Sequence, residues 1–389
     1  MSLFLAAMRR EAVRIFTDPG ALILLVIAAI AYGVIYPVPY ERQVLRDVPV
    51  AVVDQRPSAL SRQLTRMLDT HPLARVALVT SNLPSAERAL ERGEVSGIVI
   101  VPRDLGETIA RREPAQVLVL ADATYFLIYK NVLTAALESA GTLSAGLQIR
   151  TLAARGVPFD VAAVARAPIV MDMRPLFNPI ESYAAYVVPA VMIVILHQLL
   201  LIGIGMLQGT DREATPGGAP AARLTPVQAL VVLAGRTMPL LALFFLHAAF
   251  YFGTLLPWLG LPVRASAGAL AAFLLPFLLA TMWLGMAAGA LFRTRESALA
   301  ILFCTSMPIV FGSGFAWPRE AMAGWVVEAM QFVPAGPAIN GALRLTQMAA
   351  PLADVAPEWH QLWRLAALFF LLAWIAEWRR PQPAAGLTA

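Results

Sequence analysis

The sequence predicts a polytopic α-helical membrane protein with six transmembrane helices and an extracytoplasmic α/β domain inserted between helices 1 and 2. Three observations lead there. Of the 389 residues 59% are hydrophobic and only 14% are charged, and the mean hydropathy is +0.68, far more apolar than a soluble domain. An apolar run at residues 21–36 stands alone, and the next begins only at Tyr183, beyond a long charged stretch. From Tyr183 apolar runs follow one another to the end of the chain, with arginines gathered in alternate short connections.

In residues 1–17, Leu5, Met8, Ala12, Ile15 and Phe16 recur at helical spacing, with Arg10 and Arg14 opposite, until Asp18-Pro19-Gly20 ends the pattern. This reads as an amphipathic helix in the membrane interface. The first span follows in residues 18–40. Ala29-Ile30-Ala31 offers the alternative of a cleaved signal peptide, but Glu11 and Asp18 in the leading segment, and the run on through Val34, Ile35 and Tyr36, favour a retained span.

Residues 41–182 read as a folded α/β domain. A β-branched run at 48–53 ends at Asp54, and Ser58 opens a helical stretch through Leu60, Leu64, Met67 and Leu68. Strand patterns recur at 75–79, 97–101 and 116–120, with helices at 84–92 and 104–112 between them. A long proline-free helix, 125–155, suits a stalk back toward the membrane, and a further strand at 169–173 leads to Phe177-Asn178-Pro179. Asp54, Asp69, Glu87, Glu91, Asp104 and Asp122 fall at caps, strand ends and solvated faces, and His71 has no partner nearby in sequence, so no catalytic residue is expected.

Residues 183–378 hold the remaining spans, at 183–207, 237–256, 265–291, 297–315 and 361–378, each long enough for a hydrocarbon core of about 30 Å. Arg9, Arg10 and Arg14 precede the first span; Arg212, Arg223 and Arg236 lie between the second and third; Arg293 and Arg295 separate the fourth and fifth; Arg379 and Arg380 follow the sixth. That side is cytoplasmic, with both termini and the tail 379–389 on it, and residues 41–182 lie outside. Arg264, Arg319 and Arg344 on the outer side weaken this assignment without reversing it. Tyr32, Tyr36, Tyr183, Trp258, Trp374 and Trp378 sit near span ends as interface aromatics do. Gly285 and Gly289 have the spacing of a close helix contact.

The single cysteine, Cys304, excludes an intrachain disulfide, and the dispersed His71, His197, His247 and His360 argue against a metal site. The net charge of +5, almost wholly arginine because Lys130 is the sole lysine, follows topology and does not indicate nucleic-acid binding. A phosphate loop needs glycine directly before lysine, whereas Tyr129 precedes Lys130. If ATP drives transport here, another chain binds it. Within the spans no Asp or Glu occurs before Glu377, and His197, Gln198 and His247 are the strongly polar side chains at depth. Two readings stand for these three: hydrogen bonds between helices, or a translocation or proton path. Residues 319–332 and 338–348, separated by Pro334-Ala335-Gly336-Pro337, are too short and broken to span.

Three stretches carry a family likeness: Val50-Ala51-Val52-Val53-Asp54 followed by Ser58-Ala59-Leu60-Ser61-Arg62; Asn178-Pro179 followed by Tyr183 and Pro189; and Gly312-Ser313-Gly314-Phe315-Ala316-Trp317-Pro318 leading to Pro334, Gly341 and Arg344. With their order along the chain, they resemble the permease subunits of ABC-2-type exporters, in the branch with a large extracytoplasmic domain between the first two spans. The resemblance implies a bacterial inner-membrane permease that is not itself an enzyme and binds no cofactor, ATP and Mg being held by separate ATPase subunits. It implies a second permease, identical or paralogous, as partner, and a periplasmic adaptor of the membrane-fusion type would complete a multidrug-type efflux assembly.

It further implies a coupling helix between Gln208 and Arg236. Where relatives carry an acidic helix with E-x-G-T, this chain has Asp211-Arg212-Glu213-Ala214-Thr215-Pro216-Gly217-Gly218, a departure that favours a non-identical partner. The coupling candidates are Asp211, Arg212, Glu213, Arg223 and Leu224, with the segment on to Pro226. The region 318–358 corresponds to the family's outward re-entrant gate, with Gly312, Gly314, Pro318, Pro334 and Pro337 as its candidate residues; an amphipathic surface loop is the alternative reading. Apolar spans with few fixed charges suit an amphiphilic or drug-like cargo. A membrane-anchored receptor or assembly scaffold is the alternative function, and it would call for a cytoplasmic output domain larger than these inner loops. A lipid-modifying enzyme would need an acid/base cluster that the sequence does not offer.

Overall fold

The structure is a computed structural model that describes residues 2–111, 113–166, 174–214 and 221–383. The chain divides into two compact units, Val44–Arg174 and Met1–Gln43 with Pro175–Ala389.

Val44–Arg174 holds strands β1 (Val48–Asp54), β2 (Ala74–Thr80), β3 (Gly97–Val101) and β4 (Leu118–Ala121). Their order is β2-β1-β3-β4; β1 is parallel to β2 and β3, and β4 pairs antiparallel with β3. Residues 50–53 of β1 and 98–101 of β3 are Val, Ile or Ala throughout because both faces of these middle strands are covered. On one face Val50 and Val52 meet Leu64 and Leu68 of helix Ala59–Asp69, and on the other Val53 and Ile98 meet Ala86 and Ala89 of helix Leu83–Glu91. Ser58 starts the first of these helices through a reciprocal cap: Ser61 N–H donates to Ser58 Oγ (3.0 Å) and Ser58 N–H to Ser61 Oγ (2.8 Å).

The long helix read as a stalk, Phe126–Ala153, packs one side against the sheet. Val132, Ala135, Ala136, Ser139 and Leu143 form one buried stripe, and the apolar ones join the core on the β1 face. Alanine and leucine also occupy its other sides, so the stripe does not show as a periodicity. The edge strand expected at 116–120 lies at Leu118–Ala121, and the helix expected at 104–112 runs over Leu105–Ala110. The strand expected at 169–173 lies outside the described residues.

Among the described residues the other unit contains 6 helices long and apolar enough to cross a membrane: Pro19–Tyr40, Tyr183–Glu213, Pro226–Trp258, Ala267–Gly289, Arg295–Gly312 and Leu352–Arg379. The second is the hub and is almost enclosed by the others. Its 31 residues make a rod of about 46 Å, longer than the hydrocarbon core, so Asp211, Arg212 and Glu213 belong to this helix and not to a loop. The third span starts at Pro226, eleven residues before the apolar run at 237, because Thr225 and Gln228 cap each other there (2.9 and 3.3 Å). That places Arg236 inside a helix. The fifth span breaks between Cys304 and Ser306 and stops at Gly312, short of 315.

Helix Ser2–Thr17 also departs from expectation. Its buried stripe is Ala7, Glu11 and Ile15, whereas Leu5 and Phe16 are exposed, so the helix docks on the third span by the face that carries a carboxylate. Gly235 makes this approach feasible: a Cβ there would stand 2.7 Å from the Phe4 carbonyl oxygen. Gly285 and Gly289 of the fourth span face Ile204 and Gln208 of the second, where added Cβ atoms would come to 3.3 and 2.9 Å. Gly235→Ala gains helix propensity of up to about 1 kcal/mol but forces two backbones apart, at about 1–3 kcal/mol. It lowers the thermal midpoint of the detergent-solubilised chain, whereas Gly253→Ala, which meets nothing within 4 Å, leaves it unchanged or raises it.

Candidate functional site

At the end of the bundle where the N-terminal helix docks, three carboxylates and three guanidinium groups form one cluster. Arg236 of the third span sits at its centre, 5% exposed, with Nε 3.2 Å from Glu11 Oε2 and Nη1 2.7 Å from Glu377 Oε2. Glu11 Oε2 also accepts from Arg14 Nη1 (3.0 Å), and Arg14 Nη2 reaches Asp211 Oδ1 (2.8 Å) and the Leu207 carbonyl (2.6 Å). Arg380 Nη2 closes the chain on Asp211 Oδ2 at 2.6 Å. Burial pulls the Arg14 guanidinium below the usual arginine range, and Glu11 and Asp211 oppose that pull. Arg10 Nη2 adds a fourth guanidinium at the rim, 3.9 Å from Asp211 Oδ1, and the cluster joins the N-terminal helix to the second, third and sixth spans.

The next two residues of the second span tie in the fourth and fifth. Arg212 Nη1 donates to the Phe292 carbonyl at 2.8 Å and its Nη2 to that of Ala290, satisfying oxygens at the end of the fourth span. Glu213 Oε1 accepts from Arg295 N–H (2.8 Å) at the start of the fifth, where a helix favours negative charge. Asp211, Arg212 and Glu213 are therefore engaged within the chain. Leu224 is buried, and Arg223 is exposed on the short antiparallel pairing of Ala221–Arg223 with Pro381–Pro383. The Thr215 to Gly218 part of the coupling segment lies outside the described residues.

His197, Gln198 and His247 are buried but not brought together. His247 Nε2 pairs with the Leu25 carbonyl at 2.9 Å, and Tyr251 donates to that of Ala29; both acceptors lie in or just after the π-helical stretch Ile23–Ala28, where the backbone ladder shifts. Gln198 Nε2 donates to Ser306 Oγ (2.6 Å) beside the break in the fifth span. The His197 ring stacks near Phe277, centroids 6.3 Å apart, and neither ring nitrogen lies within hydrogen-bond geometry of a partner among the described residues.

At the other end of the bundle, Gly314 takes φ +97°, a left-handed conformation that turns the chain after the fifth span. Gly312 abuts Met330, and Pro318 precedes the turn Arg319–Ala321. Helices Gly324–Met330 and Ala335–Met348 follow, the second capped by Pro334 with Pro337 buried in its first turn. At 14 residues this second helix reaches about 21 Å, too short to cross. Its Ile339, Gly341 and Leu345 are buried and Gly341 lies against Phe273, so it packs inside the bundle and is no surface loop; the shorter helix buries no residue.

In Val44–Arg174, His71 Nε2 pairs with Glu138 Oε2 at 2.9 Å, a partner 67 residues away that local spacing could not show. A groove of about 770 Å³ runs beside the long helix, lined by Leu105, Ile109, Leu143, Leu147 and Gln148. Among the described residues no three His, Cys, Asp or Glu side chains gather as metal ligands.

A family model described as ABC-2 family transporter protein matches residues 20–375. No curated protein matches the chain. The matched stretch contains Asp211 and Arg236, whereas Glu11, Arg14, Glu377 and Arg380 flank it.

Removing one member of a buried ion cluster leaves the others unpaired, at about 3–5 kcal/mol. Arg236→Met, which takes the central guanidinium away from Glu11 and Glu377 and leaves Glu11 to Arg14, is expected to lower the thermal midpoint sharply. Adding Glu11→Gln and Glu377→Gln removes the excess buried negative charge and recovers much of the loss. A triple variant no more stable than Arg236→Met would show that the arginine acts through packing alone.

Proposed function

Because the chain belongs to the ABC-2 family of transporter proteins, we propose that it is the membrane permease of an ATP-binding cassette exporter, driven by separate ATPase subunits that hold ATP and Mg. The chain itself is non-catalytic. The ionic end of the bundle faces the cytoplasm of a bacterial cell with both termini, and Val44–Arg174 faces outward across the inner membrane. Apolar spans with few fixed charges favour an amphiphilic or drug-like cargo.

The observation that carries the coupling is the set of contacts at Asp211, Arg212 and Glu213. Three successive residues of the hub helix bind the N-terminal helix, the sixth span, and the junction of the fourth and fifth. An ATPase pressing on this end therefore moves several helices together. Arg223, exposed beside Leu224, is the ATPase contact among the described coupling candidates, while the three charged residues pass its motion on. At the opposite end Gly312, Gly314, Pro318, Pro334 and Pro337 shape a re-entrant pair of helices that serves as the outward gate. A second permease, paralogous given the departure in the coupling segment, completes the path, and the outer unit offers a surface to a periplasmic adaptor.

The purified chain alone is expected to hydrolyse negligible ATP and to do so once an ATPase subunit co-purifies. Arg223→Glu should cut recovery of that ATPase at least about threefold, because reversing an exposed interface charge weakens association. An unaltered chain that recovers no ATPase would sink the export reading. For orientation, Ser81→Cys in a Cys304→Ser background should react with a membrane-impermeant maleimide in intact cells, and Arg9→Cys only after permeabilisation.

A further inference from the structure

Opposite the ionic cluster, the ends of the first three spans enclose a cavity of about 450 Å³, a size suited to a small organic molecule. Its floor is apolar and closed: Ala184, Val188 and Leu261 are buried. Its aromatic members are Tyr40 and Trp258, and Glu41 and Gln43 supply the polar groups.

These groups are held in place. Gln43 takes φ +46°, unusual for a residue with a side chain, and is pinned on both sides: its Nε2 donates to the Leu259 carbonyl (2.9 Å) and its own carbonyl accepts from Tyr183 N–H (3.2 Å). The Tyr40 ring is fixed between Tyr36 and Tyr183, with centroids 5.6 and 5.8 Å away. Glu41 follows Tyr40 directly, is exposed, and makes no ion pair among the described residues. Arg42, next in sequence, does not line the cavity.

An apolar floor, aromatic faces and one unpaired carboxylate together recognise a single class of ligand. A neutral hydrophobe leaves the carboxylate unused, and an anion is repelled by it and by the negative faces of the rings. A cation with an apolar body satisfies all three, its charge beside Glu41 and near the aromatic side chains Tyr40 and Trp258 and its body on the buried floor. We propose that this cavity is a binding site for lipophilic organic cations, entered at the membrane interface. Its role as the place where cargo loads rests on the export reading; the binding itself does not.

The test uses the full chain alone in phosphatidylcholine nanodiscs, with two ions of one shape and opposite charge, tetraphenylphosphonium and tetraphenylborate. Saturable binding of the cation above that of empty discs is expected, with none for the borate. Glu41→Gln should weaken the cation about tenfold and Trp258→Leu about threefold, whereas Glu41→Asp restores most of the affinity. Glu320→Gln, an exposed carboxylate elsewhere, should change nothing. Equal binding of both ions, or an unaltered affinity in Glu41→Gln, would overturn the assignment. So would cation binding that is present in dodecyl maltoside micelles but lost in these discs, where the choline ammonium of the lipid would mark the cavity as a lipid site. Because no ATPase is present, failure here is separate from failure to recover an ATPase partner.

Discussion

A guanidinium enclosed in a helical bundle requires carboxylates within reach, and Arg236 imposes that requirement on segments far apart in the chain. Glu11 lies 225 residues before it and Glu377 141 residues after it. Ionised groups lose several kcal/mol each on leaving water, and their mutual attraction roughly recovers it. The cluster therefore adds little net stability, but any arrangement that separates its members is heavily disfavoured. It fixes which face of helix Ser2–Thr17 turns inward, and it sets the positions of the third and sixth spans against the end of the second.

The two ends of the bundle are held by different interactions. One end has the charge cluster, whose disruption costs about 3–5 kcal/mol. The other has the ladder Tyr36, Tyr40, Tyr183 and Tyr186, where each ring pair contributes about 0.5–1.5 kcal/mol, together with short helices linked through Pro334 and Pro337. The aromatic end is the one that yields at lower cost. A permease driven from its charged end and opening at the other would be built with this asymmetry, and the cavity beside Glu41 lies on the yielding side.

Legibility in the sequence varied with how local the determining physics was. Ser58 and the β-branched run before it announce β1 and the helix that follows, since a cap and an alternation involve neighbours only. The apolar windows reveal six spans, yet they misplace the third by eleven residues: Arg236 lowers the hydropathy of a segment whose helicity depends on the Thr225 and Gln228 cap. Helix Phe126–Ala153 is evident as a helix, but its packing face is hidden because alanine and leucine surround it. For helix Ser2–Thr17 the apolar stripe does not reveal the docked face, because that face carries Glu11 beside Ala7 and Ile15. His71 looked solitary in sequence and has Glu138 as its partner. The unsatisfied ring of His197 could not have been found by spacing.

The sequence by itself determined the membrane class, the number of spans and the gathering of arginines at one end, because length, hydropathy and short-range charge are properties of contiguous residues. Only the tertiary structure decided that Arg14, Arg212, Arg236 and Arg380 are partners in intrachain contacts and not solvated loop charges, and that Tyr40, Glu41 and Trp258 enclose a cavity. Those outcomes depend on distances of a few ångströms between helices remote in sequence, and no local periodicity encodes such distances.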